Sequence, residues 1–263
     1  MDSPKTISTI AELESIAQDV NNRFGEVAWW RGHAVYNWEL KAKIFRKPYS
    51  DVKNKNMYMN HFQARALCMS GSGKRPDNDF EWLCLAQHSG LPTRLLDWSE
   101  SPLTALYFAL HPDSYEKEKL EDSDGCLWAL SPTQLNIKFS NENDPANAQH
   151  GLVAVEQSVI EDMVGVGFGK KTKMPHPKLV ALQPWESNNR LIAQTGRFTI
   201  HDTNDSIKDI DCKLETCEQI VIPQGAKKSL RATLRALGVH RWNIFPDLDN
   251  LAKGLIEDIL EVD

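Results

Sequence analysis

The sequence predicts a single α+β domain with a split or strongly bent mixed sheet, an N-terminal helix and a C-terminal helical cap. Its strand-like and helical stretches do not alternate in regular βαβ units, which disfavours a parallel doubly wound sheet. With 263 residues, 41% of them hydrophobic, the chain can bury one sizeable core. We predict an N-terminal helix in residues 1–24, the domain in 25–252 with a variable insertion around 141–174, and the end of the C-terminal helix in 253–263.

Charge and composition argue against several functional classes. The net charge of −6 and the pI near 5.8 disfavour general nucleic-acid binding. No apolar run approaches the roughly 20 residues of a membrane span, so we expect no membrane contact and a cytoplasmic location. The five cysteines show no C-x-x-C spacing, so neither a disulfide framework nor a metal site is expected.

The N-terminal part reads as a helix followed by a strand. Thr9 and Glu12 have the spacing of a capping box at the start of an apolar helical face, and Gly25 ends that helix. Residues 26–33 then predict a short buried strand with Arg31 at its end. Two alternatives are open for Arg31: it caps the strand and points to solvent, or it is functional. Gly32 directly afterwards permits a close backbone approach or a positive φ, which supports the second alternative. A long helix is predicted from about residue 55 to residue 67.

The stretch Ala86–Ser99 is the densest chemical segment of the chain, and we interpret it as a loop-like passage between two apolar segments. Gly90 supplies a helix stop and Pro92 prevents the helix from resuming. Beyond the passage, Ser101 and Pro102 have the properties of an N-cap and a first helical residue. The helix that follows is apolar on nearly every face, so it is predicted to lie in the core.

Two interpretations of this polar segment remain open. An unpaired buried polar group costs roughly 1–3 kcal/mol. The polar groups of this segment must therefore form hydrogen bonds with one another or with a ligand. In the first interpretation Arg94 and Asp97 form an internal ion pair within a structural knot. In the second, the same residues, together with His88 and Thr93, form a ligand cradle.

The C-terminal half predicts three strands, in residues 125–130, 179–184 and 218–223. The segment Arg190–His201 is predicted to contain a strand, in which successive side chains point to alternate faces. This alternation would place Gln194 and Phe198 on one face, with Gly196 between them. A helix over residues 227–237 and an amphipathic closing helix complete the chain. The interval 141–174 is rich in Asn and Gly and is interpreted as a mobile or partner-facing insertion.

Several of these motifs together resemble one family. They are Trp30-Arg31-Gly32-His33, the segment 85–109, Asp124-Gly125, Gln194-x-Gly196-x-Phe198 and Phe245-Pro246-Asp247-Leu248-Asp249. In combination they resemble the FRG domain family, which is named for its aromatic-Arg-Gly motif. The resemblance extends from about residue 25 to residue 252.

A further similarity is to ADP-ribosyltransferases of the arginine-serine-glutamate type. It implies a protein that binds NAD as a substrate and transfers ADP-ribose or hydrolyses NAD, in the manner of a toxin or a phage-defence effector. Arg31 would hold the NAD phosphate or ribose through its guanidinium fork, and Ser99 would stand near the serine motif. The last residue of the motif in those enzymes is a glutamate, and the corresponding segment of this chain carries Gln194. This difference argues against transfer of ADP-ribose and leaves NAD binding or slow NAD hydrolysis as the expected activity.

These arguments select two sets of site residues. The predicted catalytic set is Arg31, His88, Arg94, Asp97 and Gln194. The predicted cofactor contacts are Arg31, Gly32, His33, Thr93, Ser99 and Phe198. Of these, Arg31, Arg94 and Asp97 are expected to converge on one cleft, and Gln194 is expected to line that cleft and contact a ribose or amide of the ligand.

Two other functional classes are compatible with the same residues. The chain could be a non-catalytic sensor or adaptor module that binds a ligand, or a protein partner through residues 141–174. It could also be a nuclease or phosphodiesterase that uses His33, His88 and Asp97. The second class is disfavoured because the sequence shows no paired metal-ligand spacing.

Overall fold

The computed structural model describes residues 4–69, 75–111, 122–139, 157–166, 168, 170, 179–183, 189–210 and 216–260. Within these residues helices and strands both form, and all the strands belong to one sheet. The α+β prediction is confirmed.

The described elements have the following bounds. The strands are β1 Trp29–His33, β2 Leu95–Ser99, β3 Gly125–Leu130, β4 Leu179–Leu182, β5 Gly196–His201 and β6 Cys217–Ile222. The helices are α1 Ile10–Phe24, α2 Asn56–Met69, α3 Asp79–His88, α4 Pro102–Leu110, α5 Pro132–Phe139, α6 Gln157–Val166, α7 Asn189–Gln194, α8 Ile207–Ile210, α9 Lys227–Ala236, α10 Arg241–Ile244 and α11 Leu248–Leu260. Short 3-10 turns lie at Lys43–Phe45, Tyr49–Asp51 and Gln224–Ala226.

The sheet has the strand order β4-β5-β2-β1-β3-β6 among the described residues. Each of its neighbouring strand pairs is antiparallel, and the described parallel pairing is an isolated bridge between Thr6 and Val221. The expectation of a mixed sheet is therefore wrong in strand direction. The physical reason is that β2 and β3, which α4 connects, run parallel to each other but do not pair, because β1 lies between them and is antiparallel to both.

The sheet is nevertheless split at its centre. β1 and β2 pair only at Trp30 and Ser99, whereas β2 pairs with β5 over five residues and β3 pairs with β6 over six. Two three-stranded halves thus meet at a single residue pair. The side chain of Arg31, the residue after Trp30, lies where the two central strands separate.

Separate apolar clusters cover the two halves of the sheet on one face. Trp30 packs with residues of α1, α4 and α9, whereas Phe198 packs with residues of α2, α3 and α6. On the opposite face one cluster reaches across both halves, with Trp29, Trp98 and Trp128 among its members. The junction between β1 and β2 is therefore the place where the helical layers of the two halves meet.

Gly32 is fixed by the helix that crosses β1. A Cβ atom on Gly32 would lie 1.9 Å from the carbonyl oxygen of Ala105 and 2.7 Å from the backbone nitrogen of Ala109, both in α4. Gly32 has no positive φ, so of the two expected reasons for this glycine the close backbone approach is the correct one. The space beside Gly32 is filled by α4, which leaves no room there for the ligand contact predicted from the sequence.

Several local predictions are confirmed. Thr9 and Glu12 form the capping box of α1, and Gly25 ends that helix with φ 71°. The side chain of Ser101 accepts a hydrogen bond from the backbone N–H of Thr104 at 3.2 Å, with Pro102 as the first residue of α4.

The loop-like interpretation of residues 86–99 is wrong in its second half. α3 ends at His88 and Gly90 has φ 81°, as expected of a helix stop. The last five residues, however, form β2, a central strand of the sheet. Leu96 and Trp98 are buried on one face and Leu95 on the other, which hides the alternation of polar and apolar residues that marks a half-buried strand.

The predicted alternation around Gln194 is also wrong. Gln194 is the last residue of α7, Thr195 has a positive φ of 44°, and β5 begins only at Gly196. The helix end and the left-handed residue break the strand register, so Gln194 and Phe198 do not share a strand face.

Most of the interval 141–174 lies outside the described residues. Its described part is chiefly α6, where Met163 and Val164 are buried against the α2 and α3 side of the sheet. None of the helices that the structure describes combines the length and the apolar character that a membrane crossing requires.

Candidate functional site

Arg31 occupies the opening between the two central strands, which we call the β1–β2 gap and define by Arg31 and Asp97. Its Nη1 donates to the backbone carbonyl of Asp97 at 2.6 Å and lies 3.9 Å from the carboxylate Oδ2. Its Nε donates to Nε2 of His33 at 3.1 Å. The guanidinium therefore bridges the two strands where their backbones no longer pair.

The position of Arg31 destabilises the charged form of its guanidinium. Burial, with repulsion from Arg46 as the next cause, lowers the pKa of Arg31 to about 10. The nearby carboxylate of Asp97 acts in the opposite direction, but its side chain is 53% exposed and screened by water. A guanidinium held in this state would be stabilised by a further anion at the gap.

A chain of hydrogen bonds fixes Asp97 in the gap. Nε2 of Gln87, near the end of α3, donates to Oδ2 of Asp97 at 2.8 Å. The hydroxyl of Thr93 donates in turn to Oε1 of Gln87 and accepts from the backbone N–H of Leu95 at 3.0 Å. Thr93 is buried, so it orients Gln87 and through it Asp97, while the carboxylate itself faces solvent.

His33 joins the gap to a neighbouring pocket. Burial lowers the pKa of His33 well below its usual value, and repulsion from Arg31 and Arg46 adds to the effect. The ring is therefore neutral, with Nε2 free of a proton to accept from Arg31. Its edge meets the ring of Trp38 at a centroid distance of 6.0 Å.

Trp38 forms part of a cavity of about 600 Å³, which we call the basic pocket. The pocket is lined by Asn37, Trp38, Glu39, Lys41, Phe45, Arg46, Lys47, Ser50 and Asn204. Three of these side chains are cationic and one is a carboxylate, Glu39, which pairs with Lys41 at 3.1 Å.

Arg46 is the most constrained cation of the basic pocket. Its Nε donates to the backbone carbonyl of Lys41 at 2.7 Å. Burial lowers its pKa, while Asp97 and Glu39 act to raise it. Arg46 thus lines the pocket and is close enough to Asp97 and Glu39 for both charges to act on it.

Arg94 does not join Asp97. Its Nη1 donates to the carboxylate of Asp202 and to the carbonyl of His201 at 3.3 Å, and its guanidinium lies over the ring of Phe45 at 5.4 Å. The proposed Arg94–Asp97 ion pair is therefore wrong. Residues three apart along an extended chain point to opposite faces, which separates these two side chains. Arg94 ties the start of β2 to the end of β5.

Ser99 and Gln194 form a second cluster, beyond the Trp30–Ser99 pair. The hydroxyl of Ser99 donates to the carbonyl of Gln194 at 2.6 Å, and Nε2 of Gln194 donates to the carbonyl of Ile244 at 3.0 Å. These bonds connect β2, α7 and α10. Gln194 contacts none of the gap residues through a described hydrogen bond.

His88 and Phe198 lie on the α3 side of the sheet. Their ring centroids are 6.2 Å apart, and Phe198 is 1% exposed. Burial lowers the pKa of His88, which Asp97 opposes. His88 is therefore a neutral ring within the electrostatic reach of Asp97, whereas Phe198 is a core residue.

No group of three or more His, Cys, Asp or Glu side chains within the described ranges is placed to hold a metal ion. The groups that the site offers to a ligand are guanidinium and ammonium cations, an exposed carboxylate and an indole. Such a set suits an organic anion with an aromatic ring.

Comparison with known families supports one of the two resemblances found in the sequence. The family model of the FRG domain matches residues 26–118. The chain is similar to that family over these residues. The matched segment runs from before β1 to beyond α4, so it includes the β1–β2 gap. Searches of the curated proteins and of the solved structures found no match.

The FRG segment also contains site residues that the sequence arguments missed. Gln87 and the cations of the basic pocket were not among the predicted site residues. A signal for the pocket was present, because Lys41, Lys43, Arg46 and Lys47 make a basic run in a chain of net charge −6. No sequence signal distinguished Gln87, whose role depends on the end of α3 meeting β2.

Proposed function

We propose that this chain binds an anionic nucleotide of the NAD type across the β1–β2 gap and the basic pocket. The observation that carries the proposal is the pair of desolvated arginines, Arg31 and Arg46, whose nearest carboxylates among the described residues, Asp97 and Glu39, are exposed. A diphosphate placed between them supplies the missing charge and accepts from both guanidinium groups.

The dimensions and lining of the pocket support the same ligand class. A volume of about 600 Å³ lies within the range of roughly 300–1,000 Å³ that is typical of small-molecule sites. Trp38 is 44% exposed and offers an indole face for a nucleobase, while Lys47 is exposed at the pocket and available to a phosphate.

NAD hydrolysis is the second candidate function, and Asp97 is the observation that favours it. A carboxylate beside Arg31 can stabilise the positive charge that develops at the ribose C1′ when the bond to nicotinamide breaks. Nicotinamide leaves with the bonding electron pair, water forms the new C1′–O bond, and the proton released from water passes to Asp97. Gln87 would hold the carboxylate in place during this step.

Calorimetric titration with NAD and with ADP-ribose tests the binding proposal. We expect saturable binding of both ligands by the wild-type chain. Arg31→Lys keeps the charge but loses the guanidinium fork, and Arg46→Ala removes a pocket cation. Each substitution should weaken binding about tenfold or more, because a hydrogen bond to a charged group contributes roughly 1.5–3 kcal/mol.

The matched control is Arg65→Ala, which removes an exposed arginine on α2. It should leave the affinity unchanged, and thermal melting should show all the variants folded. Wild-type affinity in both site variants would contradict the proposal. Release of nicotinamide that is lost in Asp97→Asn would assign hydrolysis, whereas binding without release would assign a sensor or adaptor module.

A further inference from the structure

The C-terminal helix α11 packs on the domain through its polar face. Nη1 of Arg241 lies 3.3 Å from Glu257, and Nε of Arg235 lies 2.9 Å from Asp258. Gly254 lies against Trp242, where an added Cβ atom would be 2.8 Å from a ring carbon. These contacts fix the rotation of α11 about its axis.

The apolar face of α11 consequently points to solvent. Six large apolar side chains along the helix are between 36% and 81% exposed: Leu248, Leu251, Leu255, Ile256, Ile259 and Leu260. The usual arrangement of an amphipathic helix on a globular domain is thus inverted. We call this surface of six side chains the α11 face.

The α11 face is large for the surface of a monomer. Six Leu or Ile side chains with this exposure present roughly 600 Å² of apolar surface, at the upper end of the largest patches found on monomers. Two such faces buried against each other remove roughly 1,200 Å² from water, which reaches the lower limit of stable protein interfaces.

We propose that the α11 face forms a two-fold symmetric helix pair with the α11 face of a second copy of this chain. An isologous contact needs a self-complementary surface, and a stripe of Leu and Ile over three turns can interdigitate with its own antiparallel copy. Burial of about 600 Å² on each copy at about 25 cal/mol per Å² is the driving force.

The charges of the helix disfavour an anionic membrane as the occupant. In the described helix Lys253 is the single basic residue, against Asp249, Glu257 and Asp258. Helices that lie on anionic lipid surfaces carry Lys and Arg along their polar face. The net charge of −6 adds to this repulsion.

Light scattering coupled to size-exclusion chromatography tests the proposal with the full chain. We expect the wild-type protein to have twice the chain mass of 29.8 kDa at high concentration. The double variant Leu255→Asp, Ile259→Asp should have the mass of a single chain. The matched double variant Val27→Asp, Leu237→Asp, which introduces the same two charges at exposed apolar positions outside α11, should remain dimeric.

Two outcomes would overturn the proposal. The first is a wild-type chain that is monomeric at its highest soluble concentration, and the second is a dimer that persists in the double variant. Because the substituted positions are exposed, thermal melting should show both variants folded. As an independent readout, Leu255→Cys should form an intermolecular disulfide on mild oxidation, and a Leu255→Cys chain that stays uncrosslinked would count against the pairing.

Discussion

Arg31 and Gly32 are adjacent in the chain and serve opposite faces of β1. The Arg31 guanidinium reaches across the gap to the backbone of Asp97, while Gly32 allows the backbone of α4 to approach β1. α4 packs against one face of β1, and on the other face the Arg31 side chain bridges the β1–β2 gap. The arginine-glycine pair is thus one structural unit, in which packing at the glycine fixes the position of the arginine.

Gly32→Ala should destabilise the fold by about 3 kcal/mol or more, because the new methyl group collides with the backbone of α4 and not with a flexible side chain. Urea denaturation measures the loss. The matched control is Gly225→Ala, where an added Cβ atom meets nothing within 4 Å. Equal midpoints for the two variants would show that β1 and α4 can separate without cost.

Two buried histidines, His33 and His201, and the half-buried His88 should make the fold sensitive to acid. Burial lowers the pKa of His201 to about 3 and also lowers the pKa values of His33 and His88. The unfolded chain takes up these protons near pH 6.5 and the folded chain resists them, so stability is fully present above that pH and is lost as the pH falls. The loss is about 1.4 kcal/mol per pH unit for each histidine that stays neutral in the fold.

His201→Gln should therefore reduce the slope of unfolding free energy against pH by about 1.4 kcal/mol per unit between roughly pH 6 and pH 4. Urea titrations at several pH values provide the measurement. His61→Gln, at an exposed position of α2, should keep the wild-type slope. An unchanged slope in His201→Gln would mean that His201 takes up its proton in the folded state.

At the scale of elements, the sequence predicted a helix or strand correctly where a single local pattern, such as an apolar run or a capping-box spacing, marked it. The strand predicted over residues 125–130 is β3 with the same bounds, and the capping box of α1 forms as expected. The strand β2 was missed because it is buried on both faces and follows a helix stop that looks like the start of a loop. Gln194 was misplaced because α7 ends only two residues before β5 begins.

Gln194 links α7 to α10, so its replacement should act on stability. Gln194→Ala loses the hydrogen bond to the carbonyl of Ile244 and should lower the free energy of unfolding by about 1 kcal/mol. Gln194→Glu should cost more at neutral pH, since a carboxylate next to a carbonyl oxygen is repelled. Thermal melts and NAD titrations on both variants provide the check. Weaker NAD binding at unchanged stability would instead place Gln194 in the ligand site.

At the scale of the whole molecule, the candidate site lies where the two half-sheets meet. On one face each half has its own apolar cluster, on the opposite face a single cluster crosses both halves, and Trp30–Ser99 is the residue pair that joins β1 to β2. The sequence pointed to Arg31 and Asp97 through their positions at the ends of apolar segments. The basic run at residues 41–47 indicated a cluster of cations but not its position, and nothing in the sequence marked Gln87. Their proximity to the gap depends on how residues 37–50 and α3 pack around it.

A crystal structure of the chain soaked with ADP-ribose tests the central claim most directly. We expect the diphosphate within hydrogen-bond distance of Arg31 or Arg46 and the adenine ring in the basic pocket near Trp38. The diphosphate should also order the exposed side chain of Lys47. A ligand bound elsewhere on the surface, or an empty gap and pocket at saturating ADP-ribose, would contradict the assignment of this site.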